Sequence, residues 1–148
     1  NKNGWWYVEN GKVDFSRTVT IDTSMSSQVL TLVNQQRAAA GLSSLSMPSV
    51  YQSMATQRAL ELTAYFSHTR PDGTSCFTVF EDFGVSSSSW GENIAAGQPT
   101  AALVMDSWMN TSGHRANILS SSYKYVGIAC VKVSGTAYTY YWVQVFGS

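Results

Sequence analysis

Charge is scarce in this sequence. Only 12% of its 148 residues are Asp, Glu, Lys or Arg, about half the usual share. The nine basic residues balance the nine acidic ones. With no net charge and no basic stripe, nucleic-acid binding has no electrostatic support. Long apolar runs are missing too: nothing reaches the roughly 18 residues that a membrane-spanning helix needs. Cysteine occurs twice, as Cys76 and Cys130. Their spacing matches no zinc motif, which excludes a structural metal site built on cysteines. Two readings of the pair stand. They are buried free thiols, since unpaired Cys is among the most buried residue types, or they form a disulfide joining a helix start to a strand. In a secreted protein the disulfide is the expectation. It would close a loop of about 54 residues, worth about 4 kcal/mol in the loop-entropy model. No leader-like segment opens the chain at Asn1-Lys2-Asn3-Gly4, as expected of a processed protein.

What is present is apolar and aromatic. Hydrophobic residues make up 44% and aromatic ones 13%, which argues against disorder. A chain of this length buries roughly 68–70% of its unfolded surface, enough for one core. The polar surface must come from Ser, Thr, Asn, Gln and Gly, a composition that suits an extracellular protein. Residues 1–20 stand apart. An aromatic run around Trp5, Trp6 and Tyr7 is followed by Asn10-Gly11 and then Val13-Asp14-Phe15, which predicts a β-hairpin arm.

Four helical stretches follow. Ser26 or Ser27 caps one through Ala40, ended by Gly41, with Val29, Leu32, Val33 and Gln36 on one face. Pro48 opens the next, with a stripe of Tyr51, Ala55, Ala59, Leu62 and Phe66. Pro71-Asp72-Gly73 forces a turn, and Thr74 caps a short helix through Phe83. Pro99-Thr100 starts the last, through Trp108 and Met109. Trp90 to Ala96 reads as a short strand. Val126–Val133 and Tyr138–Phe146 alternate around Ser134-Gly135, as an antiparallel hairpin does. Early helices with a late antiparallel sheet predict an α+β fold.

Chemistry concentrates in three polar segments. The two histidines lie in Ser67-His68-Thr69-Arg70-Pro71-Asp72-Gly73 and Ser112-Gly113-His114-Arg115-Ala116-Asn117. Between them, Trp90-Gly91-Glu92-Asn93-Ile94-Ala95 puts a carboxylate in an otherwise apolar strand. A buried Glu needs a partner, and a histidine is the obvious candidate. Alternatively the histidines cap loops, and Glu92 is neutralised by Arg70 or Arg115.

These segments resemble the signatures of the CAP superfamily, which unites cysteine-rich secretory proteins, antigen 5 and the plant pathogenesis-related 1 proteins. The bacterial branch comprises SCP-like extracellular domains. Phe66 to Gly73, Gly91-Glu92-Asn93-Ile94-Ala95, Ser107 to Leu119, Val126-Gly127-Ile128-Ala129 and Tyr141 to Phe146 match its blocks in order, over residues 26–148. Residues 1–20 resemble one unit of the Trp/Tyr-rich repeats of Gram-positive wall-binding proteins. The resemblance implies an α-β-α sandwich, a small antiparallel sheet between helical layers. It also implies a cleft that in many members holds two His and two Glu, some binding a divalent metal. His68, Glu92 and His114 carry over, while the second glutamate's position is Thr111.

Two imidazoles and one carboxylate suit zinc or another divalent cation with an open fourth position. The expected site is therefore a cleft of His68, Glu92, His114, Ser112 and Arg115, with His68, His114 and Glu92 as metal ligands. The expected protein is a secreted or cell-surface monomer that binds a ligand, such as cell-wall material or a peptide. The rival readings are a metal-assisted hydrolase, directed at protein or cell wall, and a lipid- or sterol-binding protein. No complete catalytic set is evident.

Overall fold

The computed structural model describes residues 18–148 and, before them, two short strands, Tyr7–Glu9 (β1) and Lys12–Asp14 (β2). These two pair antiparallel, Val8 opposite Val13. The Asn10-Gly11 turn and the Trp5-Trp6 pair lie outside the described residues. The rest runs β3 (Val19–Ile21), α1 (Thr23–Ala39), α2 (Ser49–Ala64), α3 (Thr78–Asp82), β4 (Trp90–Ala96), α4 (Ala101–Met109), α5 (Ser112–Ile118), β5 (Tyr125–Val133) and β6 (Tyr140–Gly147). Strands β3 to β6 form one antiparallel sheet in the order β3-β5-β6-β4.

Both faces of this sheet are covered, giving an α-β-α sandwich. Val126, Ile128 and Cys130 of β5 and Trp142 and Phe146 of β6 pack with α1, α4 and α5 through Val29, Val33, Val104, Trp108 and Ile118. The alternate residues, Ala129, Val131, Tyr141, Val143 and Val145, pack with α2 and α3 through Tyr51, Met54, Ala55, Ala59, Leu62 and Phe80. The central strands are therefore buried on both sides, β6 almost without interruption. Such strands read as continuous apolar runs rather than as half-exposed alternation.

Helix boundaries follow the available caps. Asp22, not Ser26, begins α1: its carboxylate accepts from the Met25 amide at 2.9 Å, and Ser26 bonds back to the Asp22 carbonyl. The buried stripe of α1 is Ser26, Val29, Val33 and Arg37, and Gln36 is exposed. Arg37 reaches the carbonyls of Ser43, Ile118 and Ser120, so this buried cation closes the carbonyl end of α5. Thr100 caps α4 by accepting from Leu103. The short helix α3 starts at Thr78 because Thr74 is engaged by Asp72. Phe66 lies past the end of α2 and is exposed. The polar run 112–118, which lies outside the four helical stretches expected from the sequence, is helix α5. It lacks an apolar stripe because only Ile118 is buried.

Edge strand β4 is closed by side chains. The carbonyls of Trp90, Glu92 and Ile94 accept from the Tyr123 hydroxyl (3.2 Å), Asn117 Nδ2 (3.3 Å) and Trp108 Nε1 (3.2 Å). A paired or covered edge is a defence against strand addition.

The expected disulfide is not formed. Cys76 and Cys130 are both free and buried. Cys130 points into the α1/α4 layer, whereas Cys76 lies beside His68 and Glu92, a group on the α2 side of the sheet. Burial, with the Asp22 charge adding to it, pushes the Cys130 thiol up to about 12.

Candidate functional site

Each residue of Gly91-Glu92-Asn93 has a distinct job. A Cβ on Gly91 would collide with the Tyr123 hydroxyl and crowd Asn117, so glycine lets the edge covering approach. Glu92 and Asn93 then point to opposite faces, as successive strand residues must. Asn93 is fully buried. Its Nδ2 donates to the His114 carbonyl and to Gln144 Oε1, both at 3.0 Å, and its Oδ1 accepts from Asn117. These bonds moor α5, and with it His114, to β4.

On the other face Glu92 meets a cation that the motifs do not contain. Arg58 of α2, fully buried, donates Nε to Glu92 Oε2 at 2.7 Å and Nη2 to Oε1 at 3.0 Å. The same guanidinium donates to Glu61 and to the Ser67 carbonyl. Arg70 does not neutralise Glu92; it grips Glu61 and Asp82 instead. Burial opposes ionisation of Glu61, but hydrogen bonds from Arg70, Gln57 and Arg58 outweigh it and hold the carboxyl below its usual range. The motifs do not point to Arg58, although the sequence holds a signal for it. It lies four residues after Met54 and seven after Tyr51, on the buried face of α2, where an Arg demands a carboxylate.

His68 sits in the loop after α2. Its Nδ1 lies 2.9 Å from Glu92 Oε1, while 57% of its side chain is exposed, against 2% for Glu92. The buried carboxylate thus anchors one nitrogen, and the remainder of the ring faces solvent. The loop's register is set by its backbone: the Cys76 amide donates to the His68 carbonyl at 2.9 Å and the Arg70 amide to the Thr74 carbonyl at 2.8 Å. Cys76 is thereby placed next to His68. Burial, with the Glu92 charge adding to it, pushes the Cys76 thiol up to about 12. At neutral pH it is a thiol, not a thiolate nucleophile.

His114, on α5, is half-buried. Its Nδ1 is buried and unpartnered among the described residues. Burial first, and the charge of nearby His68 second, hold this imidazole below its ordinary range. Through Glu92 and Asn93 the two histidines are tied to adjacent positions of β4. Ser112 and Arg115 are exposed on α5. The ligand-type atoms that come within 4.8 Å of one another, among the described residues, belong to His68, Cys76 and Glu92. His114 does not join that group.

Comparison with known proteins accords with this architecture. The model of the CAP family, described as the cysteine-rich secretory protein family, matches residues 30–146. The uncharacterized protein YkwD of Bacillus subtilis strain 168 is 35% identical over 114 residues, 76% of this chain and 44% of YkwD. An extracellular protein containing a SCP domain from Bacillus anthracis strain Ames superposes with a TM-score of 0.75 at 23% identity, over 85% of this chain and 41% of that one. An outer surface protein of Borrelia burgdorferi gives a TM-score of 0.75 at 19% identity, over 86% of this chain and 95% of its own. The chain spans less than half the length of YkwD and of the Bacillus anthracis protein.

Proposed function

The chain belongs to the CAP, or cysteine-rich secretory protein, family, and from that membership and the geometry of the site we propose an extracellular ligand-binding module. Its ligand is an extended, polar one, cell-wall fragment or peptide, received between His68 and His114. One observation carries the reading: the two histidines are tied to consecutive residues of β4, His68 by its ring to Glu92 and His114 by its carbonyl to Asn93. One is anchored through Glu92 and half-exposed, and the other carries an unpartnered buried nitrogen. Buried polar atoms without partners are uncommon, and each invites a ligand or water. The extracellular setting draws support from the described locations of the Bacillus anthracis and Borrelia proteins. No helix among the described residues is long and apolar enough to cross a membrane.

A hydrolase at the same place is the second reading, favoured by the Glu92–His68 pair. A carboxylate on Nδ1 leaves Nε2 as a base, as in acid–base relays. One experiment separates the two. Soluble muropeptides and short peptides are titrated while the imidazole resonances of His68 and His114 are followed, and products are assayed in parallel. Saturable shifts of both rings without turnover support the binding module. Turnover that disappears in Glu92→Gln makes the protein a hydrolase instead, and unmoved imidazoles with every probe overturn both readings.

A further inference from the structure

We propose that Cys76, His68 and Glu92 together bind one thiophilic d10 cation of the Zn2+ or Cu+ type, at a site that does not use His114. The three donors, a sulfur, a ring nitrogen and a carboxylate oxygen, already lie within 4.8 Å of one another. Around a bound cation, ligand distances of about 2.0–2.3 Å place such donors roughly 3.2–3.8 Å apart. The rearrangement required is small: the imidazole–carboxylate contact of 2.9 Å opens slightly, and the sulfur, within 4.8 Å of both, draws in. It falls on the partner best able to move, since His68 is exposed and Glu92 is clamped by Arg58.

The surroundings are those of a built site. The Cys76 amide to His68 carbonyl bond holds the two ligand residues in register. Arg70, tied to Glu61, Thr78 and Asp82, fixes the loop between them. Arg58 orients the Glu92 carboxylate from behind, the part outer-shell partners play around metals. Because Arg58 also serves Glu61, it balances the Glu92 charge only in part. Cys76 and Glu92 are 4% and 6% exposed, and the exposed imidazole marks the way in.

On binding, metal–sulfur, metal–nitrogen and metal–oxygen bonds form in place of bonds from the ion to water, the Cys76 S–H breaks, and its proton goes to solvent with the displaced waters. Neutral His68 keeps its one ring proton by carrying it on Nε2 while Nδ1 turns from Glu92 to the cation. No electron moves. A thiolate–imidazole pair selects thiophilic ions over Mg2+ and Ca2+, and release of a proton makes affinity rise with pH. The absence of a zinc-type Cys spacing excludes only a site built from cysteines alone.

The test uses Cd2+ as the probe, on the reduced chain, following thiolate-to-cadmium absorption in the ultraviolet. Expected is a band saturating at one equivalent, displaced by Zn2+ and untouched by excess Mg2+. It disappears in Cys76→Ser, weakens about tenfold or more in His68→Ala, and persists in Cys130→Ser and His114→Ala. No band in the parent, a band surviving Cys76→Ser, or one abolished by His114→Ala overturns the proposal. Should Cys76→Ser fail to fold by circular dichroism, the cadmium resonance of the parent decides. A shift typical of one thiolate sustains the site, and one typical of nitrogen and oxygen alone refutes it. The His114→Ala variant also keeps this result apart from the ligand-binding reading, which needs His114.

Discussion

Replacing Arg58 with Met tests the buried ionic network directly. The methionine fills most of the aliphatic volume but removes the bonds to Glu92, Glu61 and the Ser67 carbonyl. Glu61 keeps Arg70 and Gln57. Glu92, whose side chain is 2% exposed, keeps only neutral or solvent-facing partners, the Cys76 thiol and the His68 imidazole. Stranding one partner of a buried pair costs about 3–5 kcal/mol, roughly a fifth or more of the stability of a typical domain. Urea unfolding at neutral pH measures it, with the buried indoles of Trp108 and Trp142 as fluorescence reporters. The charge is the source of the loss, so Arg58→Met with Glu92→Gln recovers at least about 1 kcal/mol relative to additive single effects. The pH dependence has a fixed sign. Glu61 is held low in the folded state, so its contribution is complete above its unfolded pKa of about 4.3 and is lost as pH falls through the lower folded value. The part of the parent's advantage over Arg58→Met that comes from the Arg58–Glu61 bond is therefore lost in acid. A loss below about 1 kcal/mol at neutral pH, or strictly additive variants, would contradict this account of the network.

Two further predictions concern the site's supports. His114 has its imidazole held low, so the unfolded chain takes up that proton first. Stability is complete above about pH 6.5 and falls as pH drops from there to the folded value. His114→Gln should flatten this slope in urea midpoints collected across that window, and equal slopes for the two proteins would count against the burial of His114. At Gly127 an added Cβ would fall inside the Tyr51 carbonyl, where α2 lies against β5 and backbone cannot yield. Gly127→Ala should cost at least about 3 kcal/mol, seen as a melting temperature lower by roughly 6–12 °C. A shift of only about 2 °C would mean that α2 can lift from the sheet.

Much of this architecture is legible in the chain because the governing interactions are short. Pro48 and Gly41 punctuate helices through their own backbone preferences and Thr100 through its side-chain cap, and α2, α4, β4 and β6 fall close to where the pattern puts them. Local preference does not choose between Asp22 and Ser26, because both are good caps; only pairing of Val19–Ile21 with β5 decides which one begins α1. Helix α5 is not legible because its stability comes from outside itself. Asn93 binds the His114 carbonyl, and Arg37 binds the carbonyls of Ile118 and Ser120.

From the chain alone come the family, the layered class and the requirement that Glu92, a carboxylate in an apolar strand, have a partner. Who that partner is depends on the packing of the layers. Arg58 stands 34 positions away on a helix whose buried face could have aimed it elsewhere. The same packing puts Cys76 with His68 and Glu92 rather than with Cys130, and sets the two thiols on opposite sides of the sheet. Caps and periodicity are settled by neighbours along the chain. Which charges share one desolvated space is settled by how the layers close, where the cost of an unpaired charge is too large for any local preference to override.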